Sequence, residues 1–317
     1  MESQKAEQKN QEQEQNSGEQ NQKAEKRKLV VAPPFTLKKI KKNDLCQHFV
    51  NTRERPSNFI MNIKPEERFG DYPQLQELMK YKDALIAKRN HPTHFIKADL
   101  KNYDLQKLGK FDVIYCDPPW KEYEEAVKDL PIYQADPQKF KSWTLDEISS
   151  LPIDKISETP SFLFLWVGTE HLNDGRELFK RWGYKRCEDI VWAKTNKTNK
   201  DKKSFKRKEH QIMHRVKEHC LVGLRGDVKR ASDSHFIHAN IDTDVIVDEE
   251  PPVGSLKKPN EMYSIIERFC LGRKRLELFG ELHNIRDGWL TIGQSLPQTN
   301  FDLEIYNQYF QDDPKAF

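Results

Sequence analysis

Asp117-Pro118-Pro119-Trp120 is the tetrad whose residue types best suit a reaction, and it follows directly on the β-rich run Phe111-Asp112-Val113-Ile114-Tyr115-Cys116. Two consecutive prolines fix φ and remove two backbone donors. The turn therefore offers only acceptors, namely the Asp117 carboxylate and nearby carbonyls such as that of Pro118. An exocyclic amine on a nucleobase has two protons to donate and a lone pair delocalised into its ring. Accepting those hydrogen bonds favours a pyramidal nitrogen and frees the lone pair to attack an electrophilic methyl group. Trp120 and Pro119 would wall an extruded base. The chemistry implied is methylation of an amino group. The plainer reading is a turn that ends a strand, with Trp120 in the core.

Charge points to a partner. Lys and Arg number 53 against 50 Asp and Glu, so the net +3 matters less than its placement. From Lys194 to Lys208 eight basic residues stand against the single Asp201. Lys202, Lys203, Lys206, Arg207 and Lys208, with Arg230 as an extension, would attract nucleic-acid phosphates by counterion release, without reading sequence. A solvated loop has the same composition. Lys38-Lys39-Ile40-Lys41-Lys42, downstream of Lys26-Arg27-Lys28, suits nuclear import or a nucleic-acid contact, and equally a Lys-rich linker. The expected compartment is the nucleus.

Other classes are excluded. No run approaches the roughly 18 apolar residues of a membrane span, and no apolar leader opens the chain. Five cysteines without a CxxC pair suit reduced thiols rather than a zinc module. His210, His214, His219 and Cys220 do not change this, because Cys220 belongs to an apolar strand, so no metal is expected. No Gly-x-Ser-x-Gly or P-loop occurs, which removes acyl and phosphoryl transfer.

Positioning the tetrad requires a sheet. Short apolar runs recur at Phe111 to Cys116, Phe162 to Val167, Ile190 to Lys194, Cys220 to Leu224, Val245 to Val247, Leu276 to Phe279 and Trp289 to Ile292. Helical spacing appears after Pro73 (Leu75, Leu78, Met79, Leu85, Ile86), from Leu172 to Trp182, and after Pro259 (Met262, Ile265, Ile266, Phe269). This alternation predicts an α/β sandwich whose ligands bind beyond the carboxyl ends of the strands.

Asp117 to Trp120, together with Phe162-Leu163-Phe164-Leu165-Trp166-Val167, Trp182-Gly183-Tyr184, Trp192-Ala193-Lys194-Thr195-Asn196, Lys217-Glu218-His219-Cys220-Leu221 and Glu277-Leu278-Phe279-Gly280, resembles the MT-A family of N6-adenine methyltransferases. The likeness runs from about Asn43 to Leu296. Within the family, Asn43 to Val50, Arg186-Cys187-Glu188-Asp189-Ile190 and Phe236-Ile237-His238-Ala239-Asn240 look like the accessory, RNA-binding subunit of the messenger RNA enzymes, which lacks the Asp and Trp of the tetrad. An accessory-like body with an intact tetrad, behind a Gln/Asn/Lys-rich tail, resembles the catalytic subunits of the ciliate DNA N6-adenine methyltransferases.

The resemblance implies a Rossmann-like, S-adenosylmethionine-dependent methyltransferase with a mixed, mostly parallel sheet and helices on both faces. Composition, too poor in apolar residues to offset the entropy of ordering, predicts a disordered tail over 1–28 and a basic linker and helical extension over 29–90, ahead of a methyltransferase domain over 91–300 and a C-terminal tail over 301–317. Asp99 and Leu100 would meet the donor's adenine, Lys258 its carboxylate, and Phe279, His283 and Asn284 its ribose side. Glu281 stands where catalytic relatives carry Arg, and Gln294-Ser295 where they carry Asn-Gln. The expected function is methyl transfer to adenine N6, in DNA before RNA. The chain would be the catalytic subunit of a complex with a homologous tetrad-lacking partner, small nucleic-acid-binding subunits being further candidates. The alternative is a non-catalytic nucleic-acid-binding scaffold, and N4-cytosine methylation uses similar chemistry.

Overall fold

The computed structural model describes residues 45–61, 64–198, 212–227, 242–270 and 272–311. The 1–28 tail, the Lys38 to Lys42 run and the expected phosphate-binding residues Lys202, Lys203, Lys206, Arg207, Lys208 and Arg230 lie outside these residues. Helices α1 (Leu45–Thr52), α2 (Pro65–Arg68) and α3 (Pro73–Arg89) precede the sheet. Pro73 opens α3 where its missing N–H costs nothing, and Lys88 and Arg89 complement the dipole of its last turn. Then come β1 (His94–Lys97), β2 (Phe111–Cys116), α4 (Lys121–Val127), α5 (Pro131–Ala135), α6 (Leu145–Ser149) and β3 (Ser157–Val167). After α7 (Leu172–Arg181) follow β4 (Lys185–Thr195), β5 (Lys217–Arg225), β6 (Val245–Glu249), α8 (Glu261–Phe269), β7 (Arg275–Leu278), β8 (Leu290–Gly293) and α9 (Leu303–Gln308).

The strands form one sheet in the order β1-β8-β7-β2-β3-β5-β4-β6. Only β5 runs against its neighbours; every other pairing is parallel. Central strands read as apolar on both sides because both faces are covered. Along β2, Ile114 and Cys116 enter one core while Val113 and Tyr115 enter the other, and β3 divides in the same way between Leu163, Leu165, Val167 and Phe164, Trp166. Leu178 and Phe179 of α7 cover the first face, and Met262, Ile265 and Ile266 of α8 the second. The expected α/β sheet with helices on both faces is what forms. Among the described residues, no helix is long and apolar enough to cross a membrane.

Three elements depart from the expectation. Strand β1 is His-Phe-Ile-Lys, whose two apolar residues lie between a His and a Lys and do not form an apolar run. Helix α6 carries a full capping box between Thr144 and Glu147, a signal that the Thr-Leu-Asp-Glu stretch does contain. The start of the expected C-terminal tail is a folded element: Tyr306 of α9 is 1% exposed and packs edge-on against His91 and His94. Removing that ring should act like other aromatic deletions, whereas its hydroxyl has no hydrogen-bond partner to lose. Tyr306→Ala is expected to lower stability by about 3–5 kcal/mol and Tyr306→Phe by under about 0.5 kcal/mol, read as shifts of the urea midpoint at constant m-value.

Candidate active site at the carboxyl edge of the sheet

Strand β2 ends at Cys116 in the middle of the sheet, so the chain leaves the core at Asp117 among the ends of β3, β7 and β8. The turn is held by its own backbone. The Trp120 N–H donates to the Pro118 carbonyl at 2.8 Å, and the Trp143 N–H to that of Pro119 at 3.0 Å. Trp120 therefore does not wall a base. It is 2% exposed, donates its ring N–H to the Trp166 carbonyl at 2.8 Å, and lies flat on His171 with 4.8 Å between centroids. It anchors the turn. The Pro118 carbonyl, expected to help orient an amine, already accepts from Trp120.

Asp117 faces a closed cluster. Tyr123 on α4 donates its hydroxyl to Asp117 Oδ1 at 3.1 Å, and Lys258 Nζ lies 3.4 Å from Oδ2. Lys258 also donates to the Tyr123 hydroxyl at 3.0 Å and to Glu218 at 2.7 Å. Glu218 is the second residue of β5, the reversed strand, whose first residues stand beside the last residues of the others. Lys194 closes the next link, 2.5 Å from Glu218 and 3.6 Å from Glu250, and Glu250 pairs with Arg55. Lys194 begins the basic segment expected to attract phosphates; at 14% side-chain exposure it is part of this internal chain instead.

Burial and charge sort the acids. Burial lifts Asp117 to about 6 although Lys258 opposes it. Burial also works against ionised Glu218, but Lys194 and Lys258 together outweigh it and hold the carboxyl down at about 2. Lys258 loses by desolvation and regains more from Asp117 and Glu218, so it stays charged. On β7, burial pushes Glu277 up to about 8, despite hydrogen bonds from Tyr263 and Asn284 to its Oε1, each 2.7 Å. Its Oε2 is buried with no hydrogen-bond partner.

Four of the expected donor-binding residues do meet. Lys258, Phe279, His283 and Asn284 line one pocket with Asp117 and Glu277, of about 10 Å³, room for roughly one water. Phe279 turns the chain there with φ +64°, a conformation unusual for a bulky residue, and its ring meets Trp143 edge-on. Asn284 is spent internally, donating to Tyr263 and Glu277 and accepting from the Glu281 N–H at 2.7 Å. His283 is kept neutral by burial, 3.5 Å from Glu281, which also pairs with Lys139 at 3.2 Å. Asp99 and Leu100 do not join them. Asp99 caps its own turn through the Lys101 N–H and the Asn102 amide, and Leu100 is core. S-adenosylmethionine needs a pocket of the roughly 300–1,000 Å³ class, so these residues, closed as they are, do not fit it.

Tyr123, Glu218 and Glu277 join the site without having stood out in the sequence as site residues, although Glu218 and Glu277 lie inside the family motifs. An acid within the apolar stretch Arg-Leu-Glu-Leu is the one signal that points to Glu277.

Comparison with known proteins places the chain. The MT-A70 family model matches residues 111–295. The N(6)-adenosine-methyltransferase non-catalytic subunit METTL14 of Drosophila melanogaster is 47% identical over 274 residues, covering 86% of this chain and 68% of that protein. The protein of the same name from Xenopus laevis is 47% identical over 271 residues, covering 84% and 58% respectively. The non-catalytic subunit MTB of Arabidopsis thaliana is 44% identical over 216 residues, covering 67% and 27%. The chain thus spans little more than half the length of the Xenopus relative.

Glu277 makes the fold sensitive to pH. Between its ordinary 4.5 and about 8 the unfolded chain has released this proton and the folded one has kept it, so the stability that Glu277 contributes falls as pH rises across that window. Glu277→Gln, neutral at every pH, removes this contribution, so the urea midpoint of the variant relative to wild type is expected to rise from pH 5 to pH 8.

Proposed function

The chain belongs to the MT-A70 family, and from that premise we propose that it is the non-catalytic, nucleic-acid-holding subunit of an N6-adenosine methyltransferase complex acting on RNA in the nucleus. The observation that carries this reading is the Asp117 pocket, closed to about 10 Å³ by its own side chains. Its acceptor is taken by Tyr123, its cation by Glu218, and its ribose-side amide by Glu277. The named roles of the METTL14 and MTB relatives support the same division of labour. The methyltransferase-like partner would then carry the chemistry, the reverse of what the intact tetrad alone suggests, and small nucleic-acid-binding subunits remain candidates.

The second reading keeps the chemistry on this chain, as in a DNA N6-adenine methyltransferase. One observation favours it: Asp117 is present, preceded by a central strand and followed by two prolines, where an acceptor for an amine belongs. Bound S-adenosylmethionine would supply the methyl group. In the structure as it stands no step can be routed through it, because Lys258, His283 and Asn284 are committed to their own neighbours.

Two measurements test these readings. Asp117→Ala, reconstituted with a methyltransferase-like partner on RNA and on DNA, is expected to leave N6-methyladenine formation within about threefold of wild type by nucleoside mass spectrometry. Losing one preorganised acceptor from a working site costs roughly a hundredfold or more, so a drop of that size gives the chemistry to this chain. Replacing Lys202, Lys203, Lys206, Arg207 and Lys208 by Gln is expected to flatten the plot of log affinity against log salt by about 0.7–0.9 for each phosphate no longer neutralised. An unaltered slope in filter binding removes this segment from the nucleic-acid surface.

A further inference from the structure

Tyr123 sits on the first turn of α4, six residues after Asp117, and its hydroxyl is doubly engaged. It donates to Asp117 Oδ1 at 3.1 Å and accepts from Lys258 Nζ at 3.0 Å, while the same ammonium lies 4.5 Å from its ring centroid. A phenol O–H directed at this carboxylate is the same kind of donor that a nucleobase amine would present. Both need the same lone pairs. We propose that Tyr123 is an internal stand-in for the substrate amine, a positioning residue that keeps Asp117 closed to nucleobases until its side chain is displaced. This rests on reading the Asp117 turn as an amine-accepting site.

The structure constrains how the displacement occurs. Helix α4 is pinned: Glu124 accepts from the Ser142 N–H at 3.0 Å, from the Ser142 hydroxyl at 2.5 Å and from the Tyr133 hydroxyl at 2.8 Å. At its start Trp120 is locked into the core. The phenol must therefore leave by side-chain rotation, not by movement of the helix. Its departure would free one donor of Lys258, which stands between two spaces. On one side is the small pocket with Asp117; on the other is a cavity of about 530 Å³ walled by Trp192, Pro251, Pro252 and Pro259. That volume is in the range that holds a drug-sized ligand such as a nucleotide. With Tyr123 in place, the competent form is a fraction of the population, and apparent affinity falls by that fraction.

The test is direct binding of two probes to the full-length chain at pH 8. Adenosine 5′-monophosphate carries the amine; purine riboside 5′-monophosphate lacks it. Tyr123→Phe is expected to bind the first about 3- to 10-fold more tightly than wild type, the worth of one net hydrogen bond, and the second with no gain. Adding Asp117→Ala, which removes the acceptor, should cancel the gain. The Asp117 carboxyl, followed by carbon NMR, should titrate higher in Tyr123→Phe because it has lost a donor to its ionised form. A purely structural tyrosine would not produce this pair of changes. Unchanged affinity for adenosine 5′-monophosphate, or an equal gain for both probes, overturns the proposal. If Tyr123→Phe does not fold, the wild type decides: saturating adenosine 5′-monophosphate must shift the Tyr123 ring resonances, and their constancy overturns it. Methylation by the Asp117→Ala complex judges the functional reading separately, so the two can fail independently.

Discussion

Six alternating charges, Asp117, Lys258, Glu218, Lys194, Glu250 and Arg55, run across the carboxyl edge of the sheet and bind the residues before the sheet, β2, β5 and the loop before α8 into one electrostatic unit. Each is largely removed from water, so each depends on its neighbour: a lone buried charge costs several kcal/mol, roughly what a good partner restores. The chain has little slack. Removing a middle member strands the charges on either side, and an incoming ligand must replace a partner rather than simply add a contact.

This constraint reconciles an intact tetrad with a pocket that does not admit a donor. Residue types in the turn suit an amine, and Asp117 stands at the centre of the edge. What the turn can do is decided by Tyr123, six residues on, and Lys258, far along the chain, which use up its acceptors. Motif and pocket are separate facts. A carboxylate with the right neighbours in sequence has the wrong ones in space as long as Tyr123 and Lys258 keep it engaged. The likeness to METTL14-type subunits and the presence of Asp117 are therefore compatible, and neither alone assigns the chemistry.

Much of the architecture was legible because burial writes itself into the sequence. The apolar character of Phe111 to Cys116 and Phe162 to Val167 announces strands covered on both faces, and the spacing of Met262, Ile265 and Ile266 announces a helix lying on them. The site was less legible. Trp120 reads equally well as a stacking face and as a core ring, and only its hydrogen bond to Trp166 and the His171 ring beneath it separate the two. Glu277 looks like an error in an apolar strand until Tyr263 and Asn284 are seen on its oxygen. The docking of α9 depends on His91 and His94, roughly two hundred residues earlier, a separation no local pattern spans.

The reversed strand β5 has one more consequence. Its ladder with β4 pairs Trp192 with Glu218 and Ala193 with Lys217, so both roots of the intervening segment are fixed by main-chain hydrogen bonds immediately beside the charges that matter. The described residues next to these roots are held as well, Asn196 by Asn58 and the Arg53 carbonyl and Arg215 by Glu122 and Glu170, so Lys194 and Glu218 keep their places side by side. The placement of the two charges is therefore a matter of register: a slip of one residue in this ladder would send Glu218 to the opposite face of the sheet and leave Lys194 and Lys258 without their shared acid.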